Sequence, residues 1–520
     1  MKQQNKIHTP TVLLILDGFG LADPSIDGNA ITPKTAPNLF RYMKKYPSST
    51  LKAHGRAVGL FKDQPGNSEA GHLNIGAGRL IKQDLVEVSD SIKDGTFKKN
   101  QVFLDGIAHA KEFNSSVHVM GLLTDSESGH AKFEHMVAII KLIREKKCKH
   151  VFIHLFTDGR DSPPHSAVKY LERLRKVLNS YERIATVVGR FYAMDRNKSW
   201  ERTELAYDLL VGGKAPFTSE SAEQAISSAY SRDETDEHIS PTVLTEKGKP
   251  IATISDNDVV CFFNVRSDRA RQLTKALTQA KFSKDNPGSF KRKRRLKNLK
   301  FVAMSEFGPD LPDVQTAFPS KDVDDGLVQT IGEKYSQFYI SESEKYAHVT
   351  YFLNGGHAEP VNGEQRSTIP SFPSTSCAAQ PCMRAPELTE KILDLINKGA
   401  EMIGVNFPNA DMLGHTGDFE ATKKGIAILD KSVKKVVDAV LKKNGQVLIT
   451  ADHGNAEVMI DPESKSVLTG HTTNPVPCIL IKKDTKGIKL KKGKLTDVAP
   501  TLLKMLDIPK PKSMTGRALF

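Results

Sequence analysis

Nine short runs rich in Val, Ile, Leu and Phe recur along this chain, and each stops abruptly at a polar or acidic cluster. They read TVLLILDG, SVHVMGLLTD, HVFIHLFTDGRD, IATVVGR, VVCFFNVRSDR, LKFVAMSEF, AHVTYFLNGG, MIGVNFPNADMLGH and GQVLITADHG. Apolar runs this short and this continuous suit strands buried on both faces, so they predict parallel sheet covered by helices rather than half-wet antiparallel sheet. Helical patterns lie between them. The clearest is GIAILDKSVKKVVDAVLKKNG, where Ile426, Leu429, Val433, Val436 and Val440 line one face and Gly445 is expected to stop the helix. The fold class is therefore α/β, and the polar clusters at the strand ends fall where open α/β sheets place their sites.

With 520 residues, 39% of them hydrophobic, the chain exceeds the roughly 250 to 300 residues at which single cores stop growing, so two domains are expected. SEFGPDLPDVQTAF, residues 305–318, combines Gly and Pro after a strand and reads as a connection between them; GAGR, ending at Arg79, reads as another. The five cysteines, Cys148, Cys261, Cys377, Cys382 and Cys478, form no CxxC pair or disulfide framework, which suits a reducing cytoplasm. The first apolar run breaks at Asp17, too early for a signal peptide, and no segment reaches the roughly 20 apolar residues of a membrane helix. The net charge of +13 sits largely in two lysine-rich stretches, 281–300 and 481–494. Neither has the regular aromatic interleaving of a base-stacking surface, so both read as solvated loops or edges. No nucleic-acid or membrane partner is expected.

One set of polar residues suggests metal chemistry. Asp452 and His453 follow the strand GQVLI; Asp411 and His415 are four apart, on one face if the segment is helical; Asp17 ends the first strand, and His471 lies in the loop GHTTNPVP. Each alone also reads as a cap, a turn former or a solvated histidine. Three aspartates and three histidines together exceed what capping needs. Mixed carboxylate and imidazole ligands suit Mn, Zn, Fe or Co better than Ca or Mg. Six ligands are enough for two ions, which at roughly 3.5 to 4 Å apart clamp both oxygens of an in-line phosphoryl displacement. A second set is basic: Arg160 with Asp161, Arg190 with Arg196, and Arg266 with Arg269. Arginines at strand ends suit bidentate recognition of phosphate and carboxylate, and surface salt bridging is the alternative.

Ten ordered blocks from about residue 12 to the C-terminus, LLILDGFG, GNSEAGHLNIGAGR, DGRDSPP, GRFYAMDR, FFNVRSDRARQL, KYAHVTYFLNGG, NFPNADMLGHTG, TADHGNAE, HTTNPVP and DVAPTLL, closely resemble the cofactor-independent phosphoglycerate mutases, relatives of alkaline phosphatase. The resemblance implies a phosphatase-like metal-binding domain, 1–82 with 312–520, and an inserted phosphotransferase domain, 83–311. It implies one metal on Asp411, His415 and His471 and another on Asp17, Ser68, Asp452 and His453. Ser68 matches the serine that the family phosphorylates. His130, Arg160, Asp161, Arg190, Arg196, Arg266, Arg269 and Lys345, the last on the KYAHVTYF strand, would hold the substrate. The implied reaction interconverts 3-phosphoglycerate and 2-phosphoglycerate through phosphoserine, with Lys345 neutralising charge and Asp161 orienting or deprotonating the accepting hydroxyl. Two divalent ions, Mn(II) foremost, are implied, with no bisphosphoglycerate, in a cytoplasmic monomer. A metal-dependent phosphatase or sulfatase of the same superfamily would share the metal ligands and the serine, but the arginine blocks argue against it. Two segments depart from the family pattern. DSESGHAK stands where relatives read DGGVHSH, with an apparent extra residue and Lys132 near the second histidine, so His130 rests on an ambiguous register. QRSTIPSFPSTSCAAQPCMRA departs in composition only.

Overall fold

Eight of the nine apolar runs form strands, in a computed structural model that describes residues 9–124, 128–320, 322–373 and 377–520. Asp125, Ser126 and Glu127 of the DSESGHAK block and residues 374–376 of the QRSTIPSFPSTSCAAQPCMRA segment lie outside the described residues. In chain order the strands are β1 (Thr11–Leu16), β2 (Ser48–Lys52), β3 (Val117–Leu123), β4 (Val151–Thr157), β5 (Glu182–Gly189), β6 (Phe217–Ser219), β7 (Thr242–Glu246), β8 (Lys249–Pro250), β9 (Val259–Phe262), β10 (Lys300–Ser305), β11 (Val314–Phe318), β12 (Gln337–Glu342), β13 (Glu364–Ile369), β14 (Met402–Phe407), β15 (Gln446–Thr450), β16 (Val476–Ile481) and β17 (Gly493–Lys494).

The chain forms two units, Met1–Gln83 with Asp322–Phe520, and Asp84–Lys321. The first holds a sheet ordered β13-β12-β14-β1-β15-β16-β2-β17, parallel from β13 to β15, with β16 antiparallel to both its neighbours. Val12 to Leu16 of β1 are fully buried, each such aliphatic side chain contributing about 1.5 to 3 kcal/mol. The expected helix runs Phe419–Lys442 and buries Ile426, Leu429, Val433, Val436 and Val440. The second unit holds a sheet ordered β11-β10-β9-β3-β4-β5-β7-β6, parallel from β11 to β5. All five cysteines are free, and among the described residues no helix is long and apolar enough to cross a membrane.

Several expectations need correction. AHVTYFLNGG is not a strand, because β12 just before it already fills the sheet position between β13 and β14. The run instead coils through Ser343–Lys345 and His348–Phe352, burying Val349 and Leu353 while Tyr351 stays 42% exposed. Residues 305–318 are not wholly a connection: Val314–Phe318 adds to β10 as an edge strand, so the second unit extends to 321. Asn444, at φ +59°, takes the left-handed position after the long helix, not Gly445. Gly445 is needed for space, since a Cβ there would lie 2.3 Å from the Pro10 carbonyl oxygen. The basic run after residue 290 is stitched into its unit. Arg292 donates to the carbonyls of Ala276 and Gln279 and lies over the Phe282 ring, while Lys293 pairs with Asp208 and Arg294 with Asp256.

Candidate active site

Three neighbouring strands frame a cluster in the first unit. β1 lies between β14 and β15 with Thr11 opposite both Met402 and Gln446, so their carboxyl ends come level. Asp17 follows β1 directly, Asp411 sits in the helix Asn409–Gly414 after β14, and Asp452 and His453 follow β15. Gly18 has φ +74°, and a Cβ there would meet the Asp411 Cα at 2.6 Å, so only glycine lets the loop pass this close. Ser68 opens the helix Ser68–Ala77, whose first turn is capped by the Asn67 side chain accepting from the Ala70 N–H at 2.8 Å.

Two sets of ligand-type atoms converge. In one, Asp411 Oδ1 lies 3.2 Å from His415 Nε2 and 3.1 Å from His471 Nε2, and those two nitrogens are 3.1 Å apart. In the other, His453 Nε2 lies 2.9 Å from Ser68 Oγ, 3.4 Å from Asp17 Oδ1 and 3.5 Å from Asp452 Oδ2, with Ser68 Oγ 3.2 Å from Asp17 Oδ1. The buried Lys345 ammonium joins the sets, 2.6 Å from Ser68 Oγ, 2.9 Å from Asp17 Oδ1 and 2.7 Å from Asp411 Oδ2. Lys345 comes from the short helical turn after β12, not from a strand.

The donor set fits divalent cations. The Nδ1 atoms of His415, His471 and His453 face backbone carbonyls, of Thr469 at 2.7 Å, Gly66 at 2.8 Å and Gly454 at 3.3 Å. A carbonyl only accepts, so each Nδ1 carries a proton and each ring turns its Nε2 inward, where its lone pair serves a cation once that nitrogen gives up its own proton. Three buried carboxylates point the same way against one ammonium. Asp452 Oδ2 accepts no hydrogen bond, although His72 Nδ1 lies 3.2 Å away, because that nitrogen faces the Ser68 carbonyl at 2.9 Å. Converging lone pairs and unpaired buried charge are costly unless a cation sits among them. The electrostatics agree. Burial pulls the His453 imidazole down, but Asp452, Asp17 and Asp411 together push it up to about 9. Burial also opposes the Lys345 charge, yet Asp17, Asp411 and Asp452 hold it well above the usual lysine range. The hydrogen bond to Asp411 raises His415.

Three residues here went unmarked in the sequence. His72, four residues after Ser68 on the same helix, and Asn406, inside β14, brace the acids: Asn406 Nδ2 donates to Asp17 Oδ2 at 2.7 Å and lies 3.0 Å from His72 Nε2. Glu457, fully buried, ties three loops together. It accepts from the backbone N–H groups of Gly20 and Asn455 at 3.2 and 2.8 Å, from Asn474 Nδ2 at 3.1 Å, and from the Thr472 hydroxyl. Those loops carry Asp17, His453 and His471.

The second unit gathers the basic set, again at the carboxyl ends of parallel strands. Arg190 follows β5 and is 1% exposed; it pairs with Asp158 Oδ1 at 2.6 Å and Asp161 Oδ2 at 3.0 Å. Ser128 Oγ also donates to Asp161 Oδ2 at 2.7 Å. Burial would raise that carboxyl, but Ser128 and Arg190 hold it below the usual range. Asp268 pairs with Arg196 at 2.5 Å and Arg266 at 3.2 Å, and Arg269 donates to the Met194 carbonyl at 3.3 Å. Arg160, half-exposed, reaches Glu237 at 3.4 Å. His130 is buried with its Nδ1 unpartnered, and burial and Arg190 push it down to about 4. Asp158, which anchors Arg190, also escaped the sequence reading although it stands in TDGRD.

Two α/β units, one interrupting the other in the sequence, with strand-end carboxylates and imidazoles around a helix-opening serine, define a two-unit α/β protein whose first unit is built to hold divalent cations beside a serine hydroxyl. Residues 88–309 match the family model for the BPG-independent PGAM N-terminus. A 2,3-bisphosphoglycerate-independent phosphoglycerate mutase from Methanosarcina barkeri is 46% identical over 98% of each chain, and one from Clostridium botulinum is 44% identical over 98% of this chain and 99% of its own. The solved structure of Leishmania mexicana phosphoglycerate mutase superposes with a TM-score of 0.70 at 27% identity, covering 99% of this chain and 98% of that one. The chain belongs to the 2,3-bisphosphoglycerate-independent phosphoglycerate mutase family.

Proposed function

We propose that the chain interconverts 3-phosphoglycerate and 2-phosphoglycerate, without bisphosphoglycerate, through a phosphoryl group carried transiently on Ser68. The observation that carries this reading is the setting of Ser68 Oγ, 2.6 Å from Lys345 Nζ and 2.9 Å from His453 Nε2 in a buried cluster. Asp411, His415 and His471 would hold one divalent ion, and Asp17, Ser68, Asp452 and His453 another. Bound there, such ions supply Lewis acidity at the phosphoryl oxygens and stabilise the serine alkoxide. The mixed ligand set favours a transition ion over Mg or Ca, and Mn(II) is the ion proposed among them.

In the forward half-reaction Ser68 Oγ gives up its proton and bonds to phosphorus as the bond to the substrate 3-oxygen breaks, and the departing oxygen takes up one proton in exchange. In the return half the 2-hydroxyl loses its proton and bonds to phosphorus as the Ser68 ester breaks. Lys345 neutralises charge on Oγ and the phosphoryl oxygens in both halves. Asp161, kept ionised by Ser128 and Arg190, is assigned as the group that orients and deprotonates the accepting hydroxyl. Arg160, Arg190, Arg196, Arg266, Arg269 and His130 are assigned to the carboxylate and phosphate of the substrate. The domain roles follow, metal binding in the first unit and substrate binding in the second. The five free cysteines support a reducing compartment such as the cytoplasm. An enolase-coupled assay with 3-phosphoglycerate tests the reading: turnover should need no bisphosphoglycerate, stop on chelation and return with Mn(II). Phosphate release without 2-phosphoglycerate would make the chain a phosphatase instead.

A further inference from the structure

The first unit contains a cavity of about 690 Å³ with charged side chains in its lining, and none of the cluster residues lines it. That volume lies within the roughly 300 to 1,000 Å³ of small-molecule sites. Its charged lining is Lys52, Lys492, Lys494 and Arg517, with His54 and a single acid, Asp497. β17 pairs in parallel with β2, placing Lys494 in register with Lys52. Residues paired this way project from one face of the sheet with Cβ atoms about 5 Å apart, where like charges repel.

Among the described residues, no carboxylate pairs with either lysine side chain. Asp497 is buried and spends its oxygens on backbone, Oδ1 accepting from the Arg517 N–H and Oδ2 from the Lys494 N–H, each at 2.9 Å. Among the described residues, the side chains of Lys52, Lys492, Lys494 and Arg517 form no ion pair. His54 Nδ1 is buried without a hydrogen-bond partner. Sheet register thus holds exposed cations side by side on a cavity that His54 also lines, and an anion bound there would neutralise them. The edge is also tied to the catalytic cluster: Gly66 packs against the Ala53 carbonyl, between Lys52 and His54, and its own carbonyl faces His471 Nδ1 at 2.8 Å.

We propose that this cavity is a second anion site, distinct from the Ser68 cluster, for a small molecule carrying at least two phosphate or carboxylate groups. Fructose 1,6-bisphosphate serves as the probe, titrated calorimetrically into full-length metal-loaded protein. Wild type should bind it, and Lys52→Gln with Lys494→Gln should weaken binding at least tenfold while the mutase kcat measured without probe stays unchanged. Arg269→Gln, in the second unit, should leave this binding event intact. Lys494→Glu, which turns the repelling pair into an attracting one, should also abolish binding and should raise the melting temperature of the ligand-free protein. Absence of binding in wild type, equal isotherms in wild type and both lysine variants, or a loss caused only by Arg269→Gln would overturn the proposal.

Discussion

Replacing Lys345 with Met keeps the length of the side chain and removes its charge from the point where both ligand sets meet. The ammonium lies 2.6, 2.7 and 2.9 Å from Ser68, Asp411 and Asp17. At such separations each carboxylate pair attracts by about 6 kcal/mol at an effective dielectric of about 20, and burying the ammonium costs several kcal/mol in lost hydration. Breaking a buried pair from one side typically costs about 3 to 5 kcal/mol, because the remaining charges stay buried. Part of that loss falls on the transition state, since Lys345 touches the oxygen that forms and breaks the phosphorus bond. Losing one such preorganised donor lowers kcat by about 10² to 10³. Stopped-flow coupling to enolase under saturating Mn(II) and 3-phosphoglycerate measures this directly. A Met variant that keeps kcat within about threefold of wild type, in a folded and metal-loaded protein, would show that Lys345 takes no part in the transfer.

Glu457→Gln should weaken Mn(II) binding by about 10 to 100-fold, as loss of a group that orients ligands typically does, with smaller effect on glycerate affinity; unchanged calorimetric metal affinity would remove Glu457 from this role. In the metal-free protein His453 is held up to about 9, above its unfolded value near 6.5. Its imidazolium therefore contributes stability that is fully present below about pH 6.5 and lost as pH rises through about 9. Metal binding has the opposite dependence, gaining about tenfold in affinity per pH unit up to about 9 from this group, with one proton released per His453 at pH 7. Calorimetry in buffers of different ionisation enthalpy reads that proton. Leu14→Ala, in the fully buried β1, should cost about 2 to 5 kcal/mol in urea unfolding of the first unit.

The parallel strands were legible because both faces are covered, which leaves their sequences nearly all apolar, and the acids just past Leu16 and Thr450 stood out against those runs. The same logic misled at AHVTYFLNGG, whose composition suits a strand but whose place in the sheet β12 already takes. Residues that act through their neighbours were harder to see. Asn406 sits inside an apolar strand, His72 faces inward from the helix that Ser68 opens, and Glu457 reads as an ordinary acid in TADHGNAE until three loops fold onto it. The edge strand β11 was hidden by the Gly and Pro residues just before it. The lysine pair at residues 52 and 494 was invisible, because 442 positions separate residues that only sheet register brings together.

The most direct test of the central claim is to trap the phosphoenzyme. Full-length Mn(II)-loaded protein is mixed with 3-phosphoglycerate, quenched in acid within a turnover, and its peptides are mapped by mass spectrometry. Phosphate should appear on Ser68 and be lost on chelation, and Ser68→Ala should not turn over. Interconversion with Ser68 unmodified throughout, or by the Ser68→Ala protein, would contradict it.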